Sequence, residues 1–295
     1  HSDLKLAFRR AERALQAWEA ARCATGGKAV PDEVWKRMVL AQFHDYIPGS
    51  SVWEVYEEGL PEVRHLESAA LQSAIGDLSS ARAKKEESAL FNPLPLPRLL
   101  VLEGGRRAVE LPPLAGAPVS ELEKPLAPAA ARCGKNFLRS AQVEADFNRK
   151  GLISRLAFGG VEVPLRGALA CPVVHPDSPH NFDAWEIDRS AFSLEQKFGG
   201  FGDARCSGDK SLQASVSFRG RLGKSSRATV AYTVDAFRRV LLIDYDIDWR
   251  EHHALLRLLF PTAYAGREAR FGTPFGSVLR GQQPGDSRAE AMFEA

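Results

Sequence analysis

The sequence from Gln42 to Ser51 reads QFHDYIPGSS. An apolar helical pattern leads into this stretch and ends on His44, which Asp45 follows directly. The Pro-Gly pair stops a helix, and we predict that Ser50 or Ser51 caps the next one. An imidazole beside a carboxylate, where a helix stops before a tight turn, indicates a site element.

The spacing of His44 and Asp45 leaves two interpretations open. A neutral imidazole is a good zinc ligand, and a neighbouring carboxylate can accept hydrogen bonds from the hydroxyls of a sugar. The plainer interpretation is a histidine that interacts with the helix dipole beside a capping aspartate. Spacing alone favours this plainer interpretation.

A longer stretch, from Trp35 to Glu57, resembles the segment that closes the active site in the α-mannosidases of glycoside hydrolase family 38. The Gln-Phe-His-Asp group, the Pro-Gly-Ser-Ser turn and the later Glu-Val-Tyr-Glu group match the family pattern in order. This resemblance reverses the preference and favours a site. Looser matches continue along the chain at residues 91–94 with Arg98, 151–156, 181–188 and 274–276 with Arg280.

In that family, hydrolysis retains the anomeric configuration through a covalent glycosyl-enzyme. The resemblance implies that His44 is the last ligand of a zinc ion, or of another divalent cation, and that Asp45 binds mannose. It also implies that the nucleophile, the acid/base and the other metal ligands lie in a catalytic domain that precedes these residues. The sequence holds no counterpart of that N-terminal domain. We therefore assign no catalytic residue and expect this chain alone to be inactive.

A second candidate site lies at residues 181–188, which read NFDAWEID. This segment resembles an acidic and aromatic loop of the bacterial family members, with Glu186 where an aspartate is usual. We predict that Asp183, Trp185 and Asp188 bind substrate, because an indole can stack on a pyranose face while carboxylates accept hydroxyl bonds. The alternative is a buried tryptophan within a solvated acidic loop. If the loop serves the active site, it should approach the turn at 44–51.

The period of the apolar residues changes along the chain and predicts an α+β fold. Residues 1–88 carry helical stripes and predict a three-helix bundle; the first stripe is Leu4, Phe8, Ala11, Leu15 and Trp18. A proline-rich hinge follows at residues 91–97. From Phe137 the period is two, which predicts a large antiparallel β-sandwich in residues 89–295. The resemblance implies a galactose mutarotase-like sandwich, which we expect to be truncated.

Composition excludes several classes of protein. The 295 residues carry 39 basic and 37 acidic side chains, with a net charge of +2 and no long block of either sign. We therefore expect no nucleic-acid partner and no membrane partner. A homo-oligomer is compatible with this composition.

The cysteines and the N-terminus bear on the cellular compartment. Cys23, Cys133, Cys171 and Cys206 form no C-x-x-C pair, and the sequence shows no signal peptide. Two disulfides are arithmetically allowed, but nothing marks a secretory route. We therefore predict a reduced, cytoplasmic protein.

These patterns together predict the C-terminal portion of a hydrolase of mannose metabolism. The complete α-mannosidase would remove terminal α-linked mannose from a mannose-containing oligosaccharide or mannoside. The alternative is a stand-alone carbohydrate-binding or assembly module without catalysis. The lone metal ligand at His44 argues against that alternative, because a pure module has no need of it.

Overall fold

The computed structural model describes residues 2–81, 88–102, 107–122, 130–183, 185–273 and 275–281. The contacts divide the chain into two compact units: His1–Ala127 with Ala184–Glu186, and Pro128–Asp183 with Ile187–Ala295. The fold is α+β, as predicted, with helices first and antiparallel strands after them. The predicted domain boundary after residue 88 stays a prediction.

The helices of the first unit are α1 (Ser2–Thr25), α2 (Asp32–Leu40), α3 (Trp53–Ser80) and the short α4 (Val119–Leu122). The predicted stripe of α1 is buried, with Phe8 only 3% exposed and Leu15 fully buried, and it packs against residues of α2 and α3. Hydrogen bonds also join α1 to α3. Trp18 Nε1 and Arg22 Nε both donate to Asp77 Oδ2, at 2.9 and 3.1 Å. None of the described helices combines the length and apolarity needed to cross a membrane.

Short strand pairs complete the described part of the first unit. The strands are β1 (Ala89–Phe91), β2 (Arg98–Leu102), β3 (Arg107–Leu111) and β4 (Gly116–Pro118), with β1 antiparallel to β4 and β2 to β3. Asn92 follows β1 and is 1% exposed. Its side-chain amide donates to the carbonyls of Leu96 and Pro112 and accepts the N–H of Leu94, so this buried polar group ties the hinge together.

The second unit is built from antiparallel strands. A five-stranded sheet runs β5–β9, a four-stranded sheet runs β11–β14, and two further pairs are β10 with β15 and β16 with β17. The strands are β5 (Arg132–Gly134), β6 (Phe137–Arg139), β7 (Val143–Phe147), β8 (Ile153–Phe158), β9 (Val161–Glu162), β10 (Cys171–Pro176), β11 (Phe201–Ser207), β12 (Gln213–Leu222), β13 (Ser226–Asp235), β14 (Leu242–Asp248), β15 (Ala254–Leu259), β16 (Glu268–Thr273) and β17 (Gly276–Gly281).

The period-two pattern marks the core of this unit. Val230, Tyr232 and Val234 point inward from β13 and are at most 1% exposed, as their alternation predicts. Residues from both larger sheets meet in this cluster, which contains no helix residue. A hairpin joins β7 to β8. Its Gly151 has φ +69, and a Cβ there would lie 2.8 Å from the Phe218 ring, so the tight turn needs glycine.

The expectation of a reduced protein is wrong for one cysteine pair. Cys133 in β5 and Cys206 in β11 form a disulfide, with their Cα atoms 5.9 Å apart. The pairing spans 73 positions of sequence, so neither spacing nor a local motif could indicate it. Cys23 and Cys171 are free thiols.

Candidate functional site

The turn that carries His44 is organised by one backbone carbonyl. Helix α2 ends at Leu40, four residues before the predicted end, and the chain then turns. The Asp45 carbonyl accepts hydrogen bonds from Ser50 N (3.2 Å), Ser51 Oγ (2.8 Å) and the hydroxyl of Tyr56 (3.2 Å). The donors lie five to eleven residues after Asp45 in the sequence, and the helical period of the apolar residues does not predict bonds at these separations.

The predicted caps of α3 are therefore wrong. Helix α3 begins at Trp53, and its N-cap residue Val52 makes no side-chain capping bond. The hydroxyls of Ser50 and Ser51 point back to Asp45 instead, so they close the turn rather than start the helix.

His44 and Asp45 face solvent from this turn. Their side chains are 69% and 45% exposed, and His44 Nε2 lies 3.3 Å from Asp45 Oδ2. Ser50 Oγ donates to the other carboxylate oxygen, Oδ1, at 3.2 Å. The imidazole is thus accessible to a ligand, while the carboxylate beside it is partly held by the turn.

Two tyrosines form the buried base of the turn, and the sequence analysis did not single them out. The rings of Tyr46 and Tyr56 stack with centroids 5.6 Å apart, and both residues are at most 7% exposed. The Tyr56 hydroxyl accepts the N–H of Ser51 at 3.1 Å and lies 3.1 Å from the Tyr46 carbonyl. Burial raises the pKa of Tyr46, with smaller contributions from Tyr56 and Glu62. The apolar pattern around these tyrosines was the available signal that they are buried.

Exposed apolar side chains surround the same end of the helical unit. Five residues at the end of α2, in the turn and at the start of α3 are each at least 54% exposed: Val39, Leu40, Phe43, Val52 and Trp53. We call these five residues the apolar collar. Large exposed apolar surface next to polar residues is typical of an interaction site rather than of an ordinary monomer surface.

The donor set at this turn fits part of a metal site. Among the described residues, no group of three or more His, Cys, Asp and Glu side chains could hold a metal ion. Catalytic zinc ordinarily takes three protein ligands and structural zinc four. His44 with Asp45 supplies two donors at most, so these residues match one side of a coordination shell and not a complete one.

The acidic and aromatic loop presents its side chains outward. Trp185 is 46% exposed and Asp183 is exposed, which contradicts the alternative of a buried tryptophan. Asp188 Oδ2 accepts hydrogen bonds from the backbone N–H of His180 at 3.2 Å and bonds to its ring Nδ1 at 2.8 Å. This pair raises the pKa of His180 and lowers the pKa of Asp188.

The structure adds Asp177 to this loop. Its Oδ1 atom is buried and has no hydrogen-bond partner among the described residues. Burial raises the pKa of this carboxyl group, and the charges of Asp183 and Asp188 raise it further. Residues 175–177 read His-Pro-Asp, and the sequence analysis assigned no site residue among them. The actual signal is electrostatic and appears only when the three carboxylates lie near one another.

The predicted meeting of the turn and the loop stays a prediction. The turn at 44–51 belongs to the first unit, whereas Asp183 and Asp188 belong to the second. Within the second unit the structure brings together Asp177, Asp183 and Asp188, with His180 bonded to Asp188.

Comparison with known protein families matches both units. The model for the glycosyl hydrolases family 38 C-terminal domain matches residues 138–295. The model for the alpha mannosidase middle domain matches residues 1–76, which include the turn and the apolar collar.

Individual relatives are distant and longer than this chain. Alpha-mannosidase 2C1 of Homo sapiens and that of Mus musculus are each 23% identical over 283 residues, covering 88% of this chain. The chain spans 27% of the length of these curated relatives. The crystal structure of an alpha-mannosidase from Enterococcus faecalis V583 superimposes with a TM-score of 0.69 at 13% identity, covering 96% of this chain and 45% of that one.

Proposed function

Because the chain belongs to the glycosyl hydrolases of family 38, we propose that it supplies a metal ligand and substrate contacts to a retaining α-mannosidase. The observation that carries this proposal is the exposed imidazole of His44 on a turn fixed by hydrogen bonds. The turn lies inside the stretch that matches the alpha mannosidase middle domain. The remaining metal ligands, the nucleophile and the acid/base would come from a domain that precedes these residues.

His44 would bind zinc, or another divalent cation, through one imidazole nitrogen. Such a cation would supply a Lewis acid for the hydroxyl groups of the bound mannose. Asp45 would accept a hydrogen bond from a mannose hydroxyl, because its carboxylate is half exposed beside the imidazole. Ser51 and Tyr56 would hold both side chains in position through the Asp45 carbonyl, as residues behind a ligand generally do.

The apolar collar supports docking of the preceding domain on this end of the helical unit. Leu40 is 74% exposed and Trp53 is 64% exposed, and both flank the turn. Burying such side chains fully stabilises an interface by about 1.5–3 kcal/mol each. The relatives are long enough for such a domain, since the matched part is 27% of their length.

Asp183 and Asp188 of the second unit would bind the mannose-containing oligosaccharide or mannoside, and we propose the same role for Trp185, which groups with the first unit. The exposure of Trp185 supports this role, since a stacking ring must be accessible. For the second unit we propose the more specific fold of a galactose mutarotase-like sandwich. Its paired sheets around one core are compatible with that architecture.

A cytoplasmic location is also part of the proposal, and the disulfide argues against it. Disulfides are rare in reducing compartments. The test is to purify the protein without reductant, denature it and titrate its thiols. Four free thiols would support a cytoplasmic location, whereas two would show that the Cys133–Cys206 disulfide is present.

The proposal is tested in the protein encoded by the complete reading frame, with an aryl α-mannoside as substrate. We expect His44→Ala to lower kcat/KM by at least about 100-fold, because losing a ligand should exceed the 10–100-fold effect of residues behind ligands. The matched control is His65→Ala, an exposed histidine on α3. Wild-type activity of His44→Ala would overturn the proposal. Mannose release by these 295 residues alone would also overturn it.

A further inference from the structure

A cavity of about 520 Å³ lies beside β10 in the second unit. Its wall includes the polar side chains of His175, Glu195, Gln196, Lys224, His252 and His253, together with polar residues of the neighbouring strand connections. We propose that this His175 cavity binds a saccharide unit through hydroxyl groups. The inference rests on the proposed function for its class of ligand, but its site is separate from the turn at His44.

His175 provides the main argument. The residue is fully buried, and its ring Nδ1 lies 2.9 Å from the carbonyl oxygen of Leu194. Because a carbonyl only accepts, Nδ1 carries the proton, and the neutral ring then has an acceptor at Nε2. Nε2 is buried and has no hydrogen-bond partner among the described residues. The Phe192 ring packs edge-on at 5.6 Å and holds the imidazole in place.

Other charged groups at the cavity are already engaged. Glu251 Oε1 accepts the N–H groups of Ser225 and Ser226, and these bonds lower the pKa of Glu251 to about 2. The guanidinium of Arg250 pairs with Asp248. These residues stabilise the strand connections, so they are not the groups that a ligand would use.

The unengaged groups favour a neutral ligand rich in hydroxyls. The side chains of Glu195, Gln196 and Lys224 make no hydrogen bond or ion pair to the described part of the chain, and they offer an acceptor, an amide and a donor. An anion would meet the carboxylates of Glu195 and Glu251. A metal ion lacks a three-donor group anywhere in the described residues. The volume lies within the range of small-molecule pockets.

The position of the cavity suits a sugar next to the one held by the loop. Pro176 and His253 both lie in its wall, and Asp177 follows Pro176. The backbone N–H of Asp177 donates to the His253 carbonyl at 2.8 Å. The cavity therefore adjoins the carboxylate cluster of Asp177, Asp183 and Asp188.

The test is an NMR titration of imidazole signals with methyl α-D-mannopyranoside and with an α-linked mannobiose, in the presence of a metal chelator. His175→Asn is the informative variant, because its amide keeps a donor near the Nδ1 position and removes the acceptor at Nε2. The signals of His175 are identified by their loss in that variant. His65→Asn, in the exposed part of α3, is the matched control.

We expect saturable shifts of the His175 signals, and of those of His252 and His253 in the same wall, with a dissociation constant of roughly 1–10 mM. The signals of His252 and His253 remain in His175→Asn, and they should report at least about tenfold weaker binding there. His65→Asn should bind like the wild type. Gln196→Leu, which keeps its backbone bond to Val174, should weaken binding about threefold or more and serves if His175→Asn misfolds. Absence of saturable shifts, or wild-type binding by both cavity variants, would overturn the inference.

The two proposals fail separately. Saccharide binding that persists with chelator and in His44→Ala supports the His175 cavity even if full-length His44→Ala remains active. Loss of activity in His44→Ala together with no saccharide shift at His175 would leave the proposed function intact and remove this inference.

Discussion

The turn that carries His44 and the loop that carries Asp183 are held in different ways. In the turn, neutral hydroxyl and amide donors converge on the carbonyl of Asp45 above two buried tyrosines. In the loop, the identified interactions are electrostatic. His180 forms an ion pair with Asp188, and the carboxylates of Asp183 and Asp188 repel that of Asp177. Neutral bonds do not titrate near pH 7, whereas the imidazole of His180, whose pKa is raised from 6.5, changes its charge in that range.

This difference teaches where each site is sensitive. The backbone geometry of the turn should depend on packing and on these neutral hydrogen bonds, and should therefore be nearly independent of pH. The geometry of the loop at residues 181–188 should depend on pH and salt, because its charges are exposed and are screened by salt. The predictions below test the two halves of this contrast.

The largest effect is expected from Gly59→Ala. A Cβ at this position of α3 would lie 1.9 Å from the Tyr46 hydroxyl and 2.4 Å from Cζ, so the buried ring beneath the turn must move. Overpacking of this kind costs about 1–3 kcal/mol. We expect Gly59→Ala to lower the free energy of unfolding of the helical unit accordingly, measured by urea denaturation.

Gly76→Ala is the matched control for that change. It lies in the same helix, and nothing is within 4 Å of its added Cβ. Alanine there should stabilise the helix by about 0.5–1 kcal/mol. If both variants change the free energy of unfolding in the same direction, the packing of Tyr46 against Gly59 does not stabilise the turn.

A smaller effect is expected from Tyr56→Phe. This change removes the hydroxyl that bonds to Ser51 and to the Asp45 carbonyl, at a cost of about 1 kcal/mol. Hydrogen exchange at the Ser51 amide should accelerate, and it should do so equally at pH 6 and pH 8 after correction for intrinsic rates. Unchanged protection would show that the hydroxyl does not fasten the turn.

The loop should respond to pH through Asp177. Its folded pKa is raised above the ordinary value of 3.8, so its charged form is disfavoured in the folded state. Asp177→Asn should therefore be more stable than the wild type at pH 7, by under about 1 kcal/mol because solvent screens the charges. The advantage should disappear as pH falls through the folded pKa towards 3.8. An advantage independent of pH would contradict the coupling.

The smallest effect concerns the His180–Asp188 pair. The raised pKa of His180 means that its contribution to stability is fully present below pH 6.5 and is lost as pH rises through the folded pKa. The lowered pKa of Asp188 means that its contribution is present above 3.8 and is lost at lower pH. NMR titration of His180 in Asp188→Asn should show a pKa lower than in the wild type. An unchanged pKa would remove this link from the loop.

Local periodicity predicted much of the fold. The stripe through Phe8 and Leu15 forms the buried side of α1, and the alternation at Val230 and Tyr232 forms the buried side of β13. In both cases residues at a regular spacing in sequence share one face of the element, so the spacing itself predicts which side chains are buried. The pairing of Cys133 with Cys206 was missed because 73 positions separate them and no local pattern encodes it.

The role of the candidate site stays a prediction, and the local structure of the turn differs in detail from what the sequence predicted. The order of residues around His44 indicated a metal ligand, while the early end of α2 at Leu40 was missed. The bonds from Ser51 and Tyr56 to the Asp45 carbonyl override the helical preference of the residues before it. Asp177 was missed for a similar reason, since its neighbours in space come from the loop that follows it.

Calorimetric titration of Zn²⁺ into this chain and into its His44→Ala variant tests the central claim most directly. A four-ligand zinc site is worth roughly 10–16 kcal/mol. One ligand then contributes about 3–4 kcal/mol, which corresponds to a dissociation constant of about 1 mM or weaker. We predict such weak binding by the 295 residues, and tight binding that His44→Ala weakens by at least about 100-fold in the protein of the complete reading frame. Micromolar binding by the 295 residues, lost in His44→Ala, would contradict the account.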